Sequence, residues 1–237
     1  MQHLLRLDDW APEDVSRVFA LADEIARGGC GGVLDGRNFA LFFPESGVRT
    51  RVAFESGIRR LGGDCVLLPS LALDKGENLG DVAGYLGQWV DGLVVRHPRI
   101  DVLESLAAAD SVPVVNAMTA LNHPCEVLSD VYALSQSHGD PAQLRVLFVG
   151  GAGNIAGAWA EAARIFGFSL TQCCPPGFEL GQMPVVYKLS DALAGVNVVV
   201  TDAWPEGCFD AFGAYQVTSP LLALASSDVV LNPCPPF

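Results

Sequence analysis

Along this chain, short unbroken apolar runs alternate with stretches whose apolar residues recur at helical spacing. Leu4 to Arg27 opens with Asp8-Asp9-Trp-Ala-Pro-Glu-Asp and continues with Val15, Val18, Phe19, Leu21 and Ile25, a helical stripe with acids in its first turn. Gly36 to Phe43 reads as a strand, and Pro44 breaks it before Val52, Phe54 and Ile58 resume near helical spacing. Further apolar runs at Cys65 to Leu68, Gly92 to Val95 and Val112 to Val115 alternate with helical stretches at 49–61, 78–89 and 101–109. Such alternation predicts a parallel sheet covered on both faces. A helix from Pro124 to Ser137, apolar at Val127, Leu128, Val131 and Leu134, leads out of this region, and the turn His138-Gly-Asp-Pro141 marks the boundary. Residues 1–138 and 139–237 are thus read as two domains. The second repeats the alternation: strand 144–149, helix 154–166, strand 168–173, helix 189–194, strand 196–201 and a final strand 228–231. The expected fold is α/β, two doubly wound parallel-sheet domains with a cleft between their strand carboxyl ends.

The first strand-to-helix junction carries the most chemistry. Phe43-Pro-Glu-Ser-Gly-Val-Arg-Thr-Arg-Val-Ala-Phe-Glu55 places a glycine, two arginines and a hydroxyl where an apolar run becomes helical. An anion there would meet free backbone N–H groups, the positive end of the helix dipole, and Arg49 or Arg51 as a planar fork. The bland alternative is a capped surface helix with solvated arginines. A second junction, Gly150-Gly-Ala-Gly-Asn-Ile-Ala-Gly157, has the look of a dinucleotide turn. That fold also wants an acid at the end of the next strand to hold the ribose, and here that strand ends Gln172-Cys-Cys-Pro-Pro-Gly177.

Half of the 237 residues are apolar, enough for one large or two modest domains with cores and incompatible with a disordered chain. A net charge of -13 argues against nucleic-acid binding, although Arg49, Arg51, Arg59 and Arg60 form a local basic concentration. The seven cysteines are odd in number and follow no zinc-ligand spacing, so most are expected to be reduced, small core residues. No leader and no apolar run of roughly 20 residues is present, which points to a soluble cytoplasmic protein without a membrane partner.

The junction at 47–51 resembles the Ser-Thr-Arg-Thr-Arg loop of the aspartate and ornithine carbamoyltransferases, down to the following Phe54-Glu55 and Leu61-Gly-Gly63. The resemblance continues in order through Asp74-Lys-Gly-Glu77, Val95-Arg-His-Pro98, Val112-Pro-Val-Val-Asn-Ala117, His123-Pro-Cys-Glu126, Val149-Gly-Gly-Ala-Gly-Asn154, Thr201-Asp-Ala-Trp204 and Leu231-Asn-Pro-Cys-Pro235. It implies carbamoyl transfer from carbamoyl phosphate to an amine of an amino-acid-like acceptor, with no metal or organic cofactor. By resemblance Arg49 bridges phosphate and anhydride oxygen, Thr50 donates to phosphate and carbonyl, and Arg96 with His123 polarises the carbonyl. Ser46, Gly47 and Arg51 would complete the phosphate loop. Lys75 matches a lysine that aspartate enzymes insert into a neighbouring subunit's site, which implies a homotrimer. Asn154 and Asp202 match contacts to the amino-acid substrate.

Several positions depart from the family pattern. Gly47-Val48 replaces Ser-Thr, removing two hydroxyl donors; the Gly47 N–H is expected to face the anion in their place. Glu126 replaces a glutamine that contacts the carbamoyl group, and Glu206 replaces a serine of the acceptor pocket, so a cationic or otherwise altered acceptor is expected. Asn232-Pro-Cys-Pro235 replaces His-Cys-Leu-Pro; Cys234 falls one position late and is read as a small turn residue rather than a nucleophile. The family's C-terminal helices are missing after Phe237. A catalytically impaired anion-binding relative, serving as a sensor or subunit, and a different transferase or lyase using Glu126 or Glu206 as base are the alternatives.

Overall fold

The computed structural model describes residues 1–29 and 31–234; Cys30 and Pro235, which closes the last motif, lie outside them. The chain forms two compact units that divide between Cys125 and Glu126. The sequence suggested a division at 138, at the far end of the helix that begins here. That helix groups with the second unit because its Glu126 and Asp130 hydrogen-bond to Cys234 and Asn232.

In the first unit a 3-10 turn at Leu7–Asp9 precedes α1 (Pro12–Ala26), β1 (Asn38–Phe43), α2 (Val48–Arg60) and β2 (Asp64–Pro69). A 3-10 segment at Ser70–Asp74 leads to α3 (Leu79–Leu86), β3 (Gly92–Arg96), α4 (Ile100–Ala108) and β4 (Val114–Met118). The four strands are parallel in the order β2-β1-β3-β4. The runs of the central strands β1 and β3 are unbroken because both faces of the sheet are buried there: Leu93, Val95 and Val114 pack on α4 residues Val102, Leu103 and Leu106, while Leu41, Phe43 and Val94 pack with Ile58 of α2. Each such side chain contributes about 1.5–3 kcal/mol by leaving water. Leu4 extends the sheet at β4, donating to the Val114 carbonyl (2.9 Å) and accepting from Asn116 N–H (2.8 Å). The stripe expected on α1 is only partly covered: Val15 is buried, whereas Leu21 and Ile25 are exposed.

The second unit contains all but the first two residues of α5 (Pro124–His138), then β5 (Arg145–Val149), α6 (Asn154–Phe166), β6 (Ser169–Cys173), β7 (Val185–Val186), α7 (Leu189–Ala192), β8 (Val198–Thr201), α8 (Phe209–Phe212), α9 (Ser219–Leu222) and β9 (Val230–Pro233). Its strands are again parallel, in the order β7-β6-β5-β8-β9. α6 buries Trp159 completely, edge-on to Phe168 at 5.9 Å, and stops at Gly167, whose φ of 77° suits a residue without a Cβ. No helix among the described residues is long and apolar enough to cross a membrane.

Both sheets share one topological property. From β1 the chain steps outward to β2 and then crosses back to β3 on the other side; from β5 it steps to β6 and β7 before returning to β8. Connections that diverge in this way leave a crevice at the carboxyl ends of the two central strands, where ligands of such sheets bind. Those ends carry Pro44–Gly47 and Arg96 in the first unit, and Gly150–Gly153 and Asp202 in the second.

Candidate active site

β1 delivers the chain to Phe43, and Pro44 through Gly47 form a turn closed by the Gly47 N–H donating to the Pro44 carbonyl at 3.0 Å. This corrects one expectation: the Gly47 amide is already committed and does not face an anion. Gly47 instead provides room. A Cβ there would stand 3.3 Å from Arg96 Cδ, from the Phe43 ring and from the Pro44 carbonyl. α2 starts without a capping side chain, so its first-turn amides keep the anion-binding character of a helix N-terminus. Pairing of β1 with β3, with Phe42 opposite Val95, brings Arg96 beside the loop, and its Nη1 donates to Thr50 Oγ1 at 3.3 Å. Thr50, Arg51 and Arg96 are half-buried, while Ser46 and Arg49 are exposed on the same loop and first turn.

A serine at 47 presses on Arg96 Cδ, which must give way by a few tenths of an ångström, whereas Val48 is half exposed. Gly47→Ser is therefore expected to weaken phosphate binding by disturbing the Arg96–Thr50 contact. Val48→Thr, which adds a hydroxyl near the helix N-terminus, is expected to strengthen it severalfold, at about 1.5–3 kcal/mol for a full hydrogen bond to a charged group. Calorimetric titration of both variants with inorganic phosphate checks the order.

His123 is placed by a buried polar network that the sequence reading left unassigned. Met118, at the end of β4, has a φ of 143°, a strained value for a residue with a side chain. Asn116 holds it: its Oδ1 accepts from Met118 N–H (2.9 Å), while its Nδ2 donates to the Leu5 carbonyl (2.9 Å) and to Asn122 Oδ1 (2.7 Å). Thr119 Oγ1 bonds Asn122 Oδ1 at 3.0 Å and accepts from the Asn122 N–H at 3.2 Å, fixing the loop from which buried His123 enters α5. Cys125 donates to the Asn116 carbonyl, and burial pushes its thiol up to about 12, so it is inert. Asn116→Leu would take the side-chain acceptor from Met118 N–H and one of two donors each from the Leu5 carbonyl and Asn122 Oδ1, with an expected cost of about 1–3 kcal/mol measurable by urea unfolding. The signal in the sequence was an asparagine inside the apolar run Val112–Ala117.

Lys75 is exposed, one residue past the 3-10 segment and just ahead of Gly76.

In the second unit, Gly150–Gly153 turns β5 into α6, whose first residue is Asn154. A Cβ on Gly153 would lie 4.0 Å from Asp202 Oδ2, so the Asp202 carboxylate at the end of β8 faces this turn. β9 closes the group from the other side. Cys234 N–H donates to the Thr201 carbonyl (2.9 Å), its thiol to Glu126 Oε1 (3.0 Å), and Asn232 Nδ2 to Asp130 Oδ2 (2.9 Å). Glu126 and Asp130 are four residues apart and share one face of α5. Burial and the Glu126 charge raise Asp202 above the usual carboxylate range, although its bond from Ala203 N–H pulls the other way. Burial and the surrounding carboxylates raise the Cys234 thiol strongly, so it stays protonated and is a poor nucleophile. Glu206, by contrast, is exposed on a turn closed by the Cys208 N–H to the Pro205 carbonyl (3.0 Å). The structure does not bring it into this group. The position of a ribose-binding acid after β6 is occupied by Cys173 and Cys174, both buried. Among the described residues no three His, Cys, Asp or Glu side chains converge to hold a metal ion.

The profile of the aspartate/ornithine carbamoyltransferase carbamoyl-phosphate-binding domain matches residues 2–136. An ornithine carbamoyltransferase of Pelobacter propionicus is 33% identical over 99% of this chain and 86% of its own length. The chain belongs to the aspartate/ornithine carbamoyltransferase family. Among solved structures, the ornithine carbamoyltransferase of Burkholderia thailandensis superposes with a TM-score of 0.90 at 30% identity, over 100% of this chain and 86% of that one. The anabolic ornithine carbamoyltransferase of Campylobacter jejuni gives 0.91 at 26% identity, over 100% and 87%. The two parallel-sheet domains are those of the carbamoyltransferases. The stretch matched to the family's first domain contains the Pro44–Thr50 loop, Lys75, Arg96, His123 and Glu126, departures included.

Proposed function

We propose that the protein transfers the carbamoyl group of carbamoyl phosphate to an amine of an amino-acid-like acceptor that carries a cationic group. The observation that carries this reading is Arg96 on Thr50 at the carboxyl ends of β1 and β3, beside the uncapped first turn of α2. Phosphate bound there by Arg49, Thr50 and Arg51 is a competent leaving group. Arg96 and His123 then draw charge onto the carbonyl oxygen as a neutral amine attacks the carbonyl carbon. The new N–C bond forms, the C–O bond to phosphate breaks with its electron pair leaving on phosphate, and the amine gives up its proton to the departing phosphate. Asn154 and Asp202 hold the acceptor. Glu126 and Asp202, each raising the cost of the other's charge, favour a cationic acceptor group between them. Lys75 serves a neighbouring subunit of a homotrimer. The exposed apolar side chains of Val66 and Leu67 on edge strand β2, with Leu71 just beyond, support a subunit contact on that unit.

The test is calorimetric titration with carbamoyl phosphate against inorganic phosphate, followed by phosphate release with a panel of neutral, acidic and cationic amines and a sedimentation mass. Tighter binding of carbamoyl phosphate than phosphate, release that depends on a cationic amine, and a three-chain mass are expected. Binding without release under every amine would instead favour the impaired anion-binding relative, the reading to which the missing hydroxyls at Gly47 and Val48 lend weight. No binding at millimolar ligand would end the donor assignment.

A further inference from the structure

His97 follows Arg96 in the chain, and Asp74 precedes Lys75. Each is thus the immediate neighbour of a residue assigned to the phosphate site, and the two are bonded to each other: His97 Nε2 lies 3.1 Å from Asp74 Oδ1. The imidazole is buried, with 2% of its side chain exposed, while Asp74 is 39% exposed. The Arg99 N–H donates to His97 Nδ1 at 3.2 Å, so in the neutral ring the proton sits on Nε2 and is directed at Asp74. The His97 N–H donates in turn to the carbonyl of strained Met118 (3.1 Å). His97 is therefore fixed from two sides before it reaches Asp74, and it is a rigid post at the end of β3.

The segment it holds needs such a post. Lys75 through Asn78 are exposed, and Gly76 takes a φ of 77°. Upstream, buried Leu73 packs into the core; downstream, Asn78 caps α3 by accepting from Gly80 N–H at 2.8 Å. Between these two anchors the Asp74–His97 bond is the contact nearest to Lys75 in sequence. A long cationic side chain on an exposed turn loses rotamer freedom when it is held in one place, and a backbone free to swing would add to that loss.

We propose that the His97–Asp74 pair is a positioning clamp that holds the Lys75 segment against the end of β3, and so prepares Lys75 to meet the carbamoyl phosphate bound in the neighbouring subunit's site. Neither clamp residue touches substrate. The proposal rests on the carbamoyl-transfer reading above.

Asp74→Ala, Asp74→Asn, Lys75→Ala and the double variant Asp74→Ala/Lys75→Ala separate the possibilities. Asp74→Ala is expected to raise the KM for carbamoyl phosphate about tenfold with kcat changed much less, the signature of a misplaced binding group. Asp74→Asn retains an acceptor oxygen for Nε2–H and should recover most of the loss. In the double variant the Asp74 change should add nothing to Lys75→Ala, because there is no longer a lysine to position. Backbone hydrogen exchange at 71–77 should quicken in Asp74→Ala. Full additivity of the two substitutions, or unchanged KM and exchange in Asp74→Ala, would overturn the clamp while leaving the transferase reading intact. A wild-type protein that neither binds nor consumes carbamoyl phosphate would overturn both.

Discussion

Arg96→Ala is expected to lower kcat/KM for carbamoyl phosphate by about 10²–10³-fold, the loss typical of removing one preorganised donor from a developing oxyanion. The guanidinium reaches Thr50 from the end of β3, on the strand adjacent to the one that feeds the loop, so it is aimed by the sheet rather than by its own rotamer. Arg96→Lys keeps the charge but not the planar fork, and should lose a substantial part of the activity as well. Arg96 is half-buried at a strand end and supports little of the core, so thermal melting of both variants should stay near that of the wild type. The check is steady-state phosphate release with calorimetry alongside. Activity within threefold of wild type would remove Arg96 from the chemistry.

Asp202→Asn should move stability and activity in opposite directions. Burial and Glu126 raise the Asp202 carboxyl above its ordinary value of 3.8, so the folded chain holds that proton more tightly than the unfolded chain. Stability from the protonated form is fully present below the unfolded value and is lost as pH rises through the folded one. At neutral pH the ionised Asp202 is consequently a liability, and an amide removes it. Melting should rise at pH 7–8, and the difference from wild type should vanish as pH falls toward the ordinary carboxyl value. Amine-dependent release should meanwhile drop at least about 30-fold, since truncating one partner of a buried charge contact costs roughly 2–5 kcal/mol. A melting curve shifted downward at neutral pH would contradict the electrostatic account.

Much of this was legible from pattern alone, and the exceptions have local causes. Strands buried on both faces announce themselves as apolar runs, which is why β1, β3, β5 and β8 fall close to where periodicity puts them. β4 begins at Val114 rather than at Val112 because Pro113 has no N–H to give a ladder. α3 ends at Leu86 because Gly87 caps it, where a Cβ would stand 2.9 Å from the Ser111 carbonyl. β7 is two residues long on an edge, too short for any period to mark. The charged members of the candidate site were visible through their motifs. Asn116 and His97 lay inside such motifs, but their roles and that of Asn122 were not legible, because a polar residue buried to hold a backbone bend differs in sequence from one on the surface only by its partners, and those partners come from Leu5, Met118 and Asp74. Glu206 illustrates the converse: a motif position can be right in register and still point its chain into water.

The turn at Pro44–Gly47 closes on itself through backbone alone. An anion arriving at this loop consequently finds side chains and the first turn of α2, with no dedicated amide from the glycine. Recognition built from side chains can be rewritten one codon at a time without rebuilding the main chain beneath it. The same scaffold can thus drift between donors, or lose a donor, while its melting temperature and its fold record nothing of the change.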